Sequence, residues 1–316
     1  MSTEINYVDV FSGCGGLSKG FDMAGLKGVC GLEFWPPANL TYKSNFSHPV
    51  VEGDICDDKT LATLIKTVGS TKVDVVAGGF PCQGFSMAGL RKRQDPRNKL
   101  YKRLLDIVNI LDPKIIVMEN VKGLLSMLDG KVIERIVKDV QALGYKIDYK
   151  VLIAADYGVP QLRERVIFIA NRINKDNIFP TPIINKKNYI TVAESITNLS
   201  NKPENKTLSH IFSKHSPEMV KKISKVAQGD SLYGYSDAFK RVFSNKPSPT
   251  VKENHGGVFL HPILNRVMTP RELARLQSFP DNFLFKGTKS AILKQLGNAV
   301  PPLMAKAIGL SIRRML

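Results

Sequence analysis

The sequence predicts an α/β protein: a doubly wound, mostly parallel sheet with a second, smaller domain. Two observations carry this reading. Short apolar runs at 7–10, 29–32, 73–76, 115–118, 147–153 and 166–170 are strand-like, and stretches at 61–68, 99–111 and 131–143 between them have helical spacing. Strand and helix in alternation build a parallel sheet covered by helices on both faces. After Ala170 the alternation stops. Residues 171–188, "NRINKDNIFPTPIINKKN", are rich in Asn, Lys and Pro and read as a linker. From about 190 to 268 the segments are short and turn-rich, which predicts a small unit of irregular or β structure. Helical spacing returns at 270–278 and 301–316. The expected division is a catalytic, ligand-binding domain over 1–188, a recognition domain over 189–268, and a return to the first domain over 269–316.

The 316 residues, 43% hydrophobic and 23% charged, are those of a globular chain. No apolar run approaches a membrane span, and the N-terminus lacks the pattern of a signal peptide. The four cysteines, at 14, 30, 56 and 82, form no CxxC pair. This argues against a disulfide framework or zinc site and for a reducing cytoplasm. The formal charge of +17 predicts a polyanionic partner, with nucleic acid the commonest, although solubility alone is the plainer reading. Its distribution favours the first. "RKRQDPRNKLYKR" (91–103) holds seven basic residues and one acidic one, directly after a candidate nucleophile.

That nucleophile is Cys82, in "AGGFPCQGFSMAGL" (77–90), where a strand ends in two glycines and presents a thiol. Ligands of open α/β sheets bind beyond the carboxyl ends of the strands, so the position suits a reacting group. The first strand ends in "FSGCGGLSKGF" (11–21), whose glycines allow close backbone approach before a helix; Ser18 stands where a dinucleotide fingerprint has its third glycine. The second ends in "GLEFWPP", with Glu33 placed to accept from a ribose diol and Phe34 and Trp35 to stack on adenine, although a solvated Glu33 beside core aromatics is the plainer alternative. Asp54 in "EGDICD" could reach the exocyclic amine of that adenine. Glu119 and Asn120 end the fourth strand, where a carboxylate in partly dry surroundings suits a proton donor. Arg163 and Arg165 share one face of the strand they open. Each of these charges also has an ordinary surface reading.

Taken in order, "FSGCGGL", "LEFW", "GDI", "GGFPCQGFS", "MENVKGL", "YGVPQLRERVIFI", "RELARLQSFPDNF" and "QLGNAVPP" resemble the DNA cytosine-5 methyltransferase family over most of the chain. The resemblance implies a class I, Rossmann-like catalytic domain, S-adenosylmethionine as methyl donor and cytosine in double-stranded DNA as acceptor. It implies that Cys82, carried on Pro81, adds to carbon 6 of the base. Glu119 would bond ring nitrogen 3, Arg165 would hold the base's carbonyl oxygen with Arg163 behind it, and Asn120 would fix the Pro81–Cys82 turn. The cofactor would meet Phe11, Ser12, Gly13, Gly15, Gly16, Leu17, Glu33, Phe34, Asp54, Ile55, Gly78, Phe80, Leu100, Asn298, Ala299 and Val300. DNA would meet Gln83, Ser86, Arg91, Arg93 and Arg97, with Lys92 beside them, and Arg241, Lys252 and Asn254, near Lys240 and His255; Arg241, just ahead of "KPSPT", has the alternative reading of a support for the fold. The target base must leave the duplex, so a mobile loop over 84–99 is expected. The stretch available for recognition between the shared motifs is short.

A cysteine hydrolase would need a histidine base, and all five histidines lie outside the strand-end motifs. A nicotinamide oxidoreductase leaves Cys82, Glu119 and Arg165 without a joint purpose. A catalytically dead DNA-binding relative would have catalytic residues free to drift, and none has; the closer alternative is a family member acting on tRNA cytosine. The expected setting is a prokaryotic or phage modification enzyme, monomeric and cytoplasmic, paired with a restriction endonuclease or solitary.

Overall fold

The computed structural model describes residues 4–81, 96–234, 238–253 and 258–316, with the backbone alone at 96–99. Seven strands form one sheet in the order β3-β2-β1-β4-β5-β7-β6. They are β1 (Asn6–Val10), β2 (Lys27–Glu33), β3 (Val50–Glu52), β4 (Val75–Gly78), β5 (Ile115–Val121), β6 (Lys146–Ile153) and β7 (Glu164–Asn171). Only the pairings of β7 with β5 and β6 are antiparallel. The chain order reverses at β1, which lies between β2 and β4. That is the switch point beyond which a ligand crevice forms.

Helices cover both faces. α1 (Gly16–Met23), α2 (Pro36–Lys43), α3 (Asp58–Val68), α4 (Pro96–Leu111) and α5 (Lys131–Ala142) lie between strands. α6 (Val192–Ile196), α7 (Pro217–Ser224), α8 (Pro270–Leu276), α9 (Lys289–Asn298) and α10 (Pro302–Met315) follow the sheet. β3 was not anticipated: with three residues it is too short to show a period of two. α2 was not anticipated either, yet its prolines fall at the first helical positions, where a missing N–H costs nothing. α4 begins at Pro96, so the last four residues of the loop expected over 84–99 are helical.

Alternation along β1 sorts the core. Val8 and Val10 face a cluster formed with α3, α4 and α5, whereas Tyr7 faces α1 and α10. In α10 the residues Met304, Ile308, Ile312 and Met315 recur at helical spacing and are fully buried. Each such side chain contributes about 1.5–3 kcal/mol by leaving water. The C-terminus is thereby fixed to the sheet. Among the described residues no helix is long and apolar enough to cross a membrane.

Between 189 and 268 the described residues contain two short α-helices, one turn of 3-10 helix (Thr197–Leu199) and isolated bridges, with no extended strand. Irregular backbone needs partners for its carbonyls, and here arginine supplies them. Arg241, expected at DNA, is 4% exposed. Its guanidinium donates to the carbonyls of Ile223, Val226, His261 and Leu264 and to Asn265 Oδ1. All three of its nitrogens are occupied inside the fold, which favours the fold-support reading of Arg241 over the DNA contact. Arg271 acts in the same way on Leu208, Pro280 and Phe283.

Candidate active site

A cleft of about 490 Å³ opens beyond the carboxyl ends of β1, β2, β4 and β5. Phe11, Ser12, Gly13, Gly16, Leu17, Glu33, Phe34, Phe80, Pro81, Glu119, Asn120, Arg163, Arg165, Asn298, Ala299 and Val300 line it. These positions are scattered from 11 to 300 in the sequence. The first strand and the C-terminal motif meet because α10 packs on α1.

At one end, Glu33 is buried and accepts from two backbone amides, Gly13 N–H at 2.9 Å and Trp35 N–H at 2.8 Å. Burial raises its carboxyl pKa, and the amides of Trp35 and Gly13 oppose that rise. Each oxygen retains a further lone pair for a ligand hydroxyl. Phe34 beside it is 69% exposed, a large aromatic face left to the cleft. Ser12 Oγ is buried without a hydrogen-bond partner. Phe11 adopts φ 61, a conformation uncommon for a bulky residue and found at ligand clamps. A free acceptor, an open aromatic face and an orphaned hydroxyl together fit an adenosine carrying a polar tail.

At the other end, Arg165 Nε donates to Glu119 Oε1 at 2.7 Å, both side chains nearly buried. A Cβ added at Gly79 would lie 3.0 Å from Glu119 Oε2. Glycine there lets the carboxylate lie against the backbone that leads to the thiol. Asn120 Nδ2 donates to the Phe80 carbonyl at 2.8 Å and so fixes the peptide before Pro81. Arg163 is 1% exposed and donates to the carbonyls of Val251 and Gly297, both at 2.9 Å. Burial, with Arg165 beside it, lowers the Arg163 guanidinium to about 9, so it keeps its charge at neutral pH.

Some expected residues stand apart from this lining. Gly15, in the left-handed region, packs under Phe46 and Tyr42, and Gly78 lies against Val10. Ile55 and Leu100 pack with the sheet core. Asp54 is exposed, with Oδ1 accepting from Cys56 N–H. Cys82, Gln83, Ser86, Arg91, Lys92, Arg93, Asn254 and His255 lie outside the described residues, as does the side chain of Arg97. Lys240 and Lys252 line an open groove of about 1130 Å³ together with Lys222 and Lys225, two cations that no motif marks in the sequence.

Asp9 is a further wall residue that no motif marks. It sits within β1, takes a 2.5 Å hydrogen bond from Ser18 Oγ, and is pushed up to about 7 by burial. Its signal in the sequence is a carboxylate inside an apolar strand run.

The sheet order and the crevice at its switch point are those of a class I, Rossmann-like methyltransferase. A prophage-encoded protein of E. coli, assigned as a DNA modification methyltransferase, superposes with a TM-score of 0.81 at 26% identity, covering 98% of this chain and 99% of that one. The Dnmt2 methyltransferase of S. pombe shares the fold, with a TM-score of 0.71 at 18% identity and coverage of 99% and 98%. Residues 5–314 match the model for C-5 cytosine-specific DNA methylases, and the chain belongs to that family. Type II methyltransferase M1.HphI of Haemophilus parahaemolyticus is 41% identical over 99% of this chain and 87% of its own. M.NgoFVII of Neisseria gonorrhoeae is 35% identical over 95% and 84%.

Proposed function

We propose that the protein transfers a methyl group from S-adenosylmethionine to carbon 5 of a flipped-out cytosine within a specific double-stranded DNA sequence, through a covalent Cys82 adduct. The observation that carries this is the meeting, in one cleft, of the Glu33 pocket with the Glu119–Arg165 pair and the Asn120-held chain entering Cys82. Phe34 would stack on the adenine and Glu33 would accept from the ribose. Bound there, S-adenosylmethionine supplies an electrophilic sulfonium methyl.

The protein's own residues must make cytosine reactive. Addition of the Cys82 thiolate to carbon 6 breaks the ring's aromaticity and makes carbon 5 enamine-like and nucleophilic. Arg165 holds the base's carbonyl oxygen and Glu119 bonds ring nitrogen 3, where negative charge develops. Arg163 supports them from behind. With the methyl on carbon 5 and the donor left as its thioether, a base such as water takes the carbon-5 proton and Cys82 leaves as the thiolate. A base inside a duplex cannot reach this cleft, so the nucleotide must be extruded.

Residues 189–268 are the segment we read as recognising the DNA sequence, with the protein acting as a monomeric, cytoplasmic modification methylase. Its lysine-lined groove fits phosphates. Replacing Lys225 and Lys252 by Gln is expected to weaken binding to all DNA sequences alike and to lower the salt slope by about 0.9 for each phosphate that these lysines neutralise. An unaltered slope returns them to a solvated face.

Incubation with methyl-labelled S-adenosylmethionine and either unmethylated duplex DNA or tRNA tests the function. Label is expected in the DNA, as 5-methylcytosine on nucleoside analysis. Label in tRNA alone would assign the activity to the other acceptor.

A further inference from the structure

The cofactor end of the cleft is joined to the segment read as DNA-facing through Lys294 and Glu253, which have no role in the chemistry above, and through Trp35, whose backbone holds Glu33. Lys294, on α9, lies with Nζ 5.0 Å from the centre of the Trp35 ring. The same Nζ is 3.3 Å from Glu253 Oε1. Trp35 in turn donates its backbone N–H to Glu33 Oε1. Contacts therefore run from Glu253, through Lys294 and Trp35, to the carboxylate read as holding the ribose. Glu253, Lys294 and Trp35 all border the cleft.

The surroundings make this link sensitive to the position of the segment. Residues 251–253 are wedged against the end of α9: Arg163 bridges the carbonyls of Val251 and Gly297. A Cβ added at Gly297 would lie 2.1 Å from Glu253 N, so the two backbones touch. That junction is closely packed and hydrogen-bonded. The Lys294–Glu253 pair is looser, since its side chains are 48% and 37% exposed. Exposed pairs contribute little, and a lysine over an indole adds about as much. A weak, half-exposed contact beside a closely packed junction can shift when either neighbour is occupied.

We propose that Glu253, Lys294 and Trp35 form a clasp that couples occupancy of the cofactor cleft to engagement of DNA by the 238–253 segment. It rests on the reading of the cleft as the S-adenosylmethionine site and of that segment as DNA-facing. By reciprocity, DNA must then tighten cofactor binding by the factor by which cofactor tightens DNA binding.

Trp35 is the only tryptophan in the chain, so its emission reports the clasp directly. The full-length protein is titrated calorimetrically with S-adenosylhomocysteine, which carries no methyl to transfer, with and without sheared, unmethylated bacterial DNA, while Trp35 emission is followed. In the unsubstituted protein the nucleoside is expected to change the emission, and DNA to tighten its binding by about fivefold or more. In Glu253→Gln and Lys294→Met that tightening falls below about twofold, with Lys294→Arg retaining it, while affinity without DNA changes little. Variants that keep the full effect of DNA overturn the clasp. Binding heat without a change in Trp35 emission, or without any effect of DNA in the unsubstituted protein, also overturns the clasp but leaves the cofactor site standing. Absence of binding heat overturns both.

Discussion

Cys82→Ala is expected to abolish methyl transfer while leaving cofactor binding near that of the unsubstituted protein. The thiol adds to the base and not to the donor, so the pocket formed by Glu33, Phe34 and Ser12 is untouched by the change. Without an adduct carbon 5 keeps its aromatic, weakly nucleophilic character, and loss of a covalent nucleophile lowers turnover by on the order of 10⁴–10⁶. Calorimetry with S-adenosylhomocysteine checks the first half and labelled transfer to duplex DNA the second. A Cys82→Ala protein that methylates DNA at the ordinary rate would remove the thiol from the mechanism.

Glu119→Gln is expected to lower single-turnover rates by roughly 10²–10⁴. Gln keeps the shape and an oxygen to accept from Arg165 Nε, which now donates to Glu119 Oε1 at 2.7 Å. The guanidinium therefore keeps a partner, and the fold should survive. The variant lacks an acidic group able to meet ring nitrogen 3 as charge builds there. Thermal melting of the variant separates the two effects: a normal melting temperature with a collapsed rate assigns Glu119 to the chemistry. Unchanged rates would make it a structural charge that holds Arg165.

Much of this site was legible in the sequence because the strand ends announce it. A run of apolar residues followed by Glu119 and Asn120, or by glycines and Pro81, is a local pattern, and parallel topology then collects such ends on one edge of the sheet. What remained hidden depends on contacts between distant residues. Arg241 has two readings in the sequence, a DNA contact or a support for the fold just ahead of "KPSPT", and nothing local chooses between them. Its partners are carbonyls 15 to 23 residues away, and they exist only once the irregular segment has folded around it. Arg163 is similar, reaching 88 residues to Val251 and 134 to Gly297. β3 was too short for periodicity to register. The Lys294 contact with Trp35 joins residues on α9 and at the start of α2, and nothing local in either stretch announces it.

The central claim is that one thiol attacks carbon 6 of a cytosine in DNA. Duplex DNA carrying 5-fluorocytosine, offered with S-adenosylmethionine, tests it most directly. Fluorine at carbon 5 leaves no proton to remove once the methyl has arrived, so the enzyme cannot release the base. The account predicts a denaturant-resistant protein–DNA complex whose digestion gives one nucleotide-linked peptide, joined at Cys82. A link at Cys14, Cys30 or Cys56, or no stable complex from a preparation that actively methylates ordinary DNA, would contradict it.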